Sequence, residues 1–546
     1  MNKIISILMV SILFSNTLYE FELNNNYNSP EGNNDSSFPE SNGIIDVESS
    51  IHGIVWVTTG NGLGRIDYLA DSYSPESISF SEVDSNLVND PNLPSGGNPA
   101  LFVKDSMIII SGVEHKYEVG TSSYQPRGTG VGYSINNGES WNYMPQPICQ
   151  DCTERYHDIV WGSQEITSLA VTIETNNVSY DLGLKDEYIY AASWAGGLRR
   201  FNYNNEDPPT WEVIPLPMDD QDYLICDSID EEDYLLDPVL LDNHKGFSIF
   251  GADEYLWVGT ANGINRGTIT NGCIDWYHQT VVNGLSGNWV IGIEEQIVDN
   301  INRIWAITWS TGSGEYNSIS YTEDDGVSWE DVDYFTSKNI KIYNLDFYED
   351  EIYVASEEGL FYSEDLIHWE KMEKYWSDID TGDIILDESV YSVLHNKLDE
   401  LGDDFHILIG TGDGLVIRED GENNIYRFWN DHASSSSENL GFSVYPNPFF
   451  TNEDGMLNGD GHVRFIYYND NPNQYDNNHS NRTRIDIYDF AMHHVITLER
   501  GINISNEDVI IWDGRNDSGQ KVVNGTYFCK LSNKNNIYWT KLIVIN

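Results

Sequence analysis

Positive charge is what this chain most lacks. Its 546 residues hold 28 Lys+Arg against 88 Asp+Glu, a formal charge of −60 at pH 7. Nucleic-acid affinity comes largely from basic side chains that displace counterions from phosphate, so nucleic acid is a poor partner. Cysteine is scarce as well: five residues, Cys149, Cys152, Cys226, Cys273 and Cys529. Cys149 and Cys152 have CxxC spacing with His157 nearby, but no second pair follows at zinc spacing. A loop disulfide or free thiols are expected there, and a core thiol at Cys529. Long apolar runs are missing beyond the N-terminus. Lys3 followed by the run from Ile4 to Phe14 is too short to span a bilayer and has the build of a secretory signal. The expectation is a signal peptide over 1–19, an exported mature chain and no transmembrane segment after its removal. Catalytic signatures are also wanting, since no G-x-S-x-G, H-E-x-x-H or P-loop pattern occurs.

Aromatic residues and glycine, by contrast, are plentiful: 34 Tyr, 16 Trp and 45 Gly. That mixture suits many short strands joined by tight turns. The stretch Glu254–Arg266 (EYLWVGTANGINR) sets the pattern, with an apolar run, small residues, a turn read at Asn262-Gly263 and resumption at Ile264. Variants recur at Ile54–Tyr68, Tyr188–Phe201, Ile304–Ser310, Ile352–Ser363 and Ile407–Ile417, with a weaker one at Met107–Gly112. A first apolar strand precedes each hairpin: Ile44–Val47, Ala100–Val103, Ile166–Val171, Phe247–Phe250, Trp289–Ile293, Ile342–Phe347 and Val390–Leu394. Seven such units of roughly 55 residues match the period of four-stranded propeller blades. A lone blade cannot bury both faces, so the units must pack around an axis.

Three units end in a turn of one type: Ser134-Ile-Asn136-Asn-Gly138-Glu-Ser140-Trp141, Thr322-Glu-Asp324-Asp-Gly326-Val-Ser328-Trp329, and the shorter Ser363-Glu-Asp365-Leu-Ile-His-Trp369. An Asp or Asn here caps its own turn, Gly takes the left-handed conformation, and Trp plugs the gap between blades. These turns resemble the Asp-box of sialidase-like and sortilin-like propellers, a resemblance that implies the fold and says almost nothing about chemistry. The LWVGTANGINR phrase resembles the repeats of two-component-regulator-type sensor propellers.

Residues 20–42 are Asn-, Ser- and Glu-rich without periodicity and read as a disordered spacer. Residues 431–440 (DHASSSSENL) read as a Ser-rich linker. The tail, 441–546, holds about a hundred residues of short alternating strands, the pattern of a β-sandwich. Its Val444-Tyr-Pro-Asn-Pro-Phe449 opening, Trp512-Asp-Gly-Arg-Asn-Asp-Ser-Gly519 turn, Gly525-Thr-Tyr-Phe528 strand and Lys541-Leu-Ile-Val-Ile545 ending resemble two related domains. These are the Ig-like domain of flagellar hook-capping proteins and the C-terminal sorting domain of type IX secretion substrates. The last residue, Asn546, stands where that family ends on a basic one. The resemblance implies export and surface attachment, with the type IX secretion machinery as a partner. The fold expected overall is all-β: a seven-bladed β-propeller over 43–430 followed by a C-terminal Ig-like β-sandwich.

Two insertions interrupt the repeat. Gly112–Gly130 lengthens one hairpin, and Asp219–Asp237 is an acidic insert without the D-x-D-x-D-G alternation of a calcium loop; it reads as a solvated loop. In the tail, Asp513, Asn516 and Asp517 could suggest calcium, but a tight hairpin explains them. No metal site and no cofactor are therefore expected, calcium being possible without support from motif spacing. A propeller's ligand face gathers one short segment per blade. On it the candidate ligand-binding residues are Trp194, Trp289, Trp309, His115, Tyr117, Tyr124, Arg127 and Glu315. Trp194 and Trp309 fall at the same place in their repeats, where aromatic rings would stack on sugars or peptide side chains or else merely pack between blades. A sialidase is disfavoured, because that family's Phe-Arg-Ile-Pro segment is absent and three arginines are hard to gather from so few. A glycosidase on a neutral polysaccharide needs only two carboxylates about 5–10 Å apart, and 88 acidic residues nominate no particular pair. The expectation is a monomeric, secreted or surface-attached binding protein for a glycan or protein ligand, with glycoside hydrolysis and a role in secretion or envelope assembly as the alternatives.

Overall fold

The hairpin phrase folds as a Ser/Thr turn. Thr260, last residue of the strand Leu256–Thr260, donates through Oγ1 to the Gly263 carbonyl at 3.0 Å and accepts the Asn262 N–H at 3.1 Å. Thr260 pairs directly with Gly263, so the two turn residues are Ala261 and Asn262, one place earlier than the Asn262-Gly263 reading. Gly263 is itself the first strand residue, at φ +104°, where a Cβ would meet the Gln279 carbonyl oxygen at 2.0 Å. The same hydroxyl-to-carbonyl bond recurs at Thr59–Gly62, Ser356–Gly359 and Thr411–Gly414, at 2.9, 2.7 and 2.8 Å. The repeated signal is therefore T/S-x-x-G.

The structure is a computed structural model. It describes residues 43–51, 54–60, 62–67, 92–118, 123–149, 152–204, 209–230, 233–298, 301–348, 350–372, 376–377, 385, 388–397, 405–419, 421–426, 442–445, 447, 449–451, 462–468, 484–499, 507–533 and 536–545. The expected signal peptide (1–19), spacer (20–42) and Ser-rich linker (431–440) lie outside the described residues. No described helix is long and apolar enough to cross a membrane. By compactness the chain divides into two units: Ser37–Lys374 with Ser389–Gly421, and Met1–Ser36 with Tyr375–Glu388 and Glu422–Asn546.

In the first unit, seven antiparallel sheets among the described residues each begin with an inner strand: Ile44–Ser49, Leu101–Lys104, Ser179–Lys185, Gly246–Gly251, Trp289–Val298, Ile342–Tyr348 and Val390–Lys397. Each inner strand pairs with the second strand of its hairpin, and that with the third. Consecutive sheets are tied to one another. Gly62 N–H donates to the Gly96 carbonyl at 3.2 Å, Ser111 Oγ to Ser179 at 2.8 Å, Ser248 Oγ to Val290 at 2.9 Å and Trp309 Nε1 to Ile342 at 2.8 Å. The ring closes where the seventh sheet meets the first: a Cβ on Gly410 would stand 2.7 Å from Ile44 Cγ2. This unit is a β-propeller.

Its cores lie between sheets, which explains why the second strands read as unbroken apolar runs. In Leu256–Thr260, Leu256 and Val258 pack toward the third sheet with Tyr190 and Leu198. Trp257 packs the other way, with Val290, Ile304 and Trp329 of the fifth. Alternate residues thus face different neighbours, and both faces are buried.

Two sequence expectations require correction. Ile166–Val171 is not the first strand of the third unit. Gln164–Leu169 pairs with Tyr156–Trp161 and, in parallel, with Leu235–Leu236 in a separate small sheet, and the inner strand is Ser179–Lys185. That strand (SYDLGLK) is masked in sequence by Asp181, whose carboxylate is taken up by backbone N–H groups. Nor is the acidic insert Asp219–Asp237 merely solvated. Tyr223–Leu224 adds a fifth strand to the fourth sheet, Asp219 accepts the N–H groups of Asp242 and Asn243, and Asp237 accepts those of Val239 and Leu240. Disulfides join Cys149 to Cys152 and Cys226 to Cys273, and Cys529 is a free, buried thiol.

The second unit holds a three-stranded sheet, Phe442–Tyr445, Val463–Tyr468 and Glu507–Trp512, and a five-stranded one ordered Phe449–Phe450, Asn536–Ile545, Gly525–Asn533, Arg484–Tyr488, His494–Glu499. Val463, Phe465 and Trp512 from the first share a core with Ile485, Ile487, Cys529, Leu531, Leu542 and Val544 from the second, the packing of a two-sheet sandwich. In the Trp512–Gly519 turn, Asn516 Oδ1 accepts the N–H groups of Ser518 and Gln520, both at 3.0 Å. Asp513 accepts that of Arg515 at 3.1 Å, and Gly514 and Gly519 take positive φ.

Candidate functional site

Six of the seven inner strands carry a β-bulge in the same place. Pairing with the second strand skips one residue in each: Ile45, Tyr180, Phe247, Ile291, Tyr343 and Tyr391. The inner strand of the second sheet pairs without a slip. A bulge leaves its extra residue outside the ladder and re-aims it. Four of the six are aromatic, and they connect through the tryptophans of the neighbouring hairpins. Tyr180–Phe247, Trp194–Phe247, Phe247–Trp289 and Trp194–Trp289 have ring centroids 6.2, 5.5, 5.8 and 6.2 Å apart. Trp289 pairs across its hairpin with Trp309, Trp309 meets Tyr343 at 5.9 Å, and Tyr343 meets Tyr391 at 5.1 Å. The result is an arc of aromatic rings over five sheets at the mouth where the inner strands begin. Tyr180, Trp194, Trp289 and Tyr343 are half-buried, and Phe247, Trp309 and Tyr391 are buried. Lys245 lies over the Trp194 ring at 4.9 Å, and Lys341, in the same place two sheets on, lies over Trp309 at 5.5 Å. Such cation–aromatic contacts hold the rings in position.

Below this collar the inner strands carry carboxyls. Asp46 and Asp181 occupy equivalent positions opposite Thr58 and Ala192. Two residues on, Glu48, Glu294 and Asp346 sit opposite Trp56, Trp305 and Tyr353. Burial pushes Asp46 and Asp181 up to about 7, against the backbone N–H groups of Val47 and of Ile249 and Leu182 that favour their ionised forms. Glu48 and Glu294 are raised well above the usual range, by burial first and then by the negative charges of the other throat carboxyls. By surface these residues are half-buried, so water reaches the throat. Burial, joined at Glu48 and Glu294 by the neighbouring negative charges, favours the protonated form of these four carboxyls.

The structure brings Trp194, Trp289 and Trp309 together in the collar. Glu315 stands beside it as a loop fastener, accepting Asn288 Nδ2 at 2.9 Å and the Thr311 N–H and Oγ1, both at 2.8 Å. His115, Tyr117, Tyr124 and Arg127 are apart from it, on the long hairpin Met107–Glu118 and Ser123–Ser134. That hairpin extends beyond Ser111, where the other sheets turn, and so rises on the collar face. Tyr117 and Tyr124 pair across its strands with rings T-shaped at 5.5 Å, both at least half-exposed, at 50 and 57%. Arg127 is bound to Glu174 at 3.1 Å. Sequence reasoning missed Tyr180, Phe247, Tyr343 and Tyr391 and the whole throat. The signal on offer was the aromatic second residue of four inner strands, but its outward aim depends on a bulge that no local pattern announces.

No family model matches the sequence, and no curated relative matches it. Solved structures do. PorZ, a bacterial surface component of the type-IX secretion system of Porphyromonas gingivalis, is 12% identical, with 92% of this chain and 81% of that chain covered at a TM-score of 0.29. The extracellular domain of the hybrid two component system BT3049 from B. thetaiotaomicron is 13% identical, covering 92% and 72% at 0.28. YCF48 bound to D1 peptide is 11% identical, covering 73% and 96% at 0.35. Likenesses at scores this low decide nothing about this chain, and the propeller rests on its own sheets.

Proposed function

We propose that this chain is an exported, surface-attached or secreted binding protein that holds a glycan or protein ligand at the collar mouth of a seven-bladed propeller, with the C-terminal sandwich as an Ig-like domain for type IX sorting and attachment. The observation that carries the binding role is the arc of half-buried rings, because aromatic faces that remain partly open at a mouth can stack on sugar rings or apolar side chains. The exported location draws support from the two disulfides, which persist in oxidising compartments. Arrays of glycans and of peptides, probed with the full chain and with a Trp194→Ala/Trp289→Ala variant of unchanged melting temperature, test the reading. One ligand class retained by the parent and lost at least tenfold by the variant is expected; identical profiles would overturn it.

A second reading, glycoside hydrolysis, is favoured by the throat carboxyls, since a general acid must stay protonated at working pH. Release of reducing ends from neutral polysaccharides, abolished in Glu48→Gln or Glu294→Gln, would select it.

A further inference from the structure

A second cavity shares no residue with the collar. About 1240 Å³ in volume, it is lined by the second and third sheets, the inserted strand Tyr156–Trp161 and the turn before Cys273. Three arginines reach it in a chain that has few basic residues. Two are spoken for: Arg127 by Glu174, and Arg200 by Glu212 at 2.9 Å, the Gly272 carbonyl at 2.7 Å and the Tyr188 ring at 4.2 Å. Arg199 is different. Its Nε donates to the Gly196 carbonyl at 3.0 Å, and among the described residues neither of its Nη atoms meets a carboxylate or carbonyl. Burial alone depresses it to about 10, so it still carries its charge at neutral pH. Arg199 is half-buried, and a guanidinium fork left open at a cavity wall is a ready two-point donor to a carboxylate.

Two further groups wait in the same cavity. Gln146, only 6% exposed, has an Oε1 without a partner, and His157 Nδ1 is likewise buried and unpartnered. Gly128 makes room for the amide, for a Cβ there would stand 2.5 Å from Gln146 Cδ. One wall is the Trp211 ring, fixed by Nε1 to the Pro145 carbonyl at 2.9 Å.

We propose that this cavity binds an acidic saccharide, a uronate-bearing glycan whose carboxylate takes the Arg199 fork and whose hydroxyl donates to Gln146 Oε1. The charge, the acceptor awaiting a donor and the flat aromatic wall are the three demands of a carboxylated sugar ring. Glu114, Glu174 and Glu212 line the same cavity and repel closely spaced negative charge, which disfavours polyphosphates and runs of acidic peptide.

Calorimetry on the full chain tests this with trigalacturonate, its methyl ester and the neutral galactose trisaccharide, beside triglutamate. The acid is expected to bind, and the ester and neutral sugar to bind at least tenfold more weakly. Arg199→Gln should cost the acid at least tenfold and the neutral sugar nothing. Loss of binding in Trp194→Ala/Trp289→Ala is not expected, which separates this site from the collar. Equal binding of acid and ester, no binding of trigalacturonate, unchanged affinity in Arg199→Gln, or triglutamate bound as tightly would each overturn the proposal. Should Arg199→Gln fail to fold, the comparison of acid with ester on the unaltered chain decides alone.

Discussion

Asp181 of the third sheet accepts the backbone N–H of Ile249 of the fourth, Oδ2 to N 2.7 Å, while its Oδ1 accepts Leu182 N–H at 2.7 Å. Asp346 repeats the arrangement between the sixth and seventh sheets, with Phe347 N–H at 2.8 Å and the N–H of His395. Carboxylates in the throat therefore join blades as well as line the channel. The wall of the site and the seam of the ring are partly the same atoms.

That arrangement makes stability depend on pH in a definite direction. Asp46 and Asp181 are raised to about 7, and Glu48 and Glu294 are raised well above the usual carboxylate range. The folded state therefore holds more protons than the unfolded one between the ordinary carboxylate pKa of about 4 and about 7. Stability falls as pH rises through that window. The melting temperature is expected to drop by several degrees from pH 5 to pH 8, and more shallowly in Glu48→Gln/Glu294→Gln, which should gain about 1–3 kcal/mol at pH 8. A melting temperature that is flat or rises over this range, measured by calorimetry at constant ionic strength, would sink the account.

The turns ending in Trp141 and Trp329 give a second prediction. Thr322 Oγ1 accepts Gly326 N–H at 2.9 Å, and Asp324 accepts Ser328 N–H at 2.9 Å and Ser328 Oγ at 2.7 Å. Gly326, at φ +77°, lies against the preceding blade, where a Cβ would meet Trp257 Cη2 at 2.9 Å. Gly138 stands likewise on Trp56, at 2.3 Å. Gly326→Ala therefore combines left-handed strain with overpacking and is expected to destabilise by about 2–4 kcal/mol. Gly312→Ala, whose Cβ meets nothing within 4 Å, should change little. Equilibrium unfolding in urea distinguishes them; equal midpoints would contradict the seam.

These turns also show how much could be read in advance. Their Ser/Thr, Asp/Asn, Gly and Trp each have a local task, so four residues sufficed to place a turn and a blade contact. The hairpins were legible because Leu256, Trp257 and Val258 are apolar on both faces. The collar was legible only in its tryptophans, since Tyr180 and Tyr343 owe their aim to a slip in pairing that is settled by the neighbouring strand. The throat was not legible at all. Asp46 and Glu294 look like any other acids among 88, and only ring closure brings them within reach of each other.

Trp194 and Trp309 share a place in the repeat yet should answer differently to mutation. Trp309 is 6% exposed and donates Nε1 to the Ile342 carbonyl at 2.8 Å, tying the fifth sheet to the sixth. Trp309→Ala is expected to cost about 3–5 kcal/mol of stability. Trp194 is half-buried over Phe247 and Trp289, so Trp194→Ala should cost clearly less and fall chiefly on ligand capture. Urea midpoints for the pair read the difference, and a larger loss in Trp194→Ala would reverse the assignment of plug and platform.

The Cys226–Cys273 bond closes a separation of 47 residues, against 3 for Cys149–Cys152. In the chain-entropy view a cross-link stabilises by shrinking the unfolded ensemble, and more so the longer the loop it closes. Cys226 is buried and its N–H donates to Asp275 Oδ1 at 2.9 Å, so the bond and this contact reinforce the pairing of Tyr223–Leu224 with the strand Cys273–Gln279. Cys226→Ser/Cys273→Ser is expected to cost about 2–4 kcal/mol, and Cys149→Ser/Cys152→Ser distinctly less. Thiol titration of the denatured, unreduced protein should find one reactive group, Cys529. Three or five thiols in protein from an oxidising compartment would mean that a bond is missing, and with it the support that the disulfides lend to export.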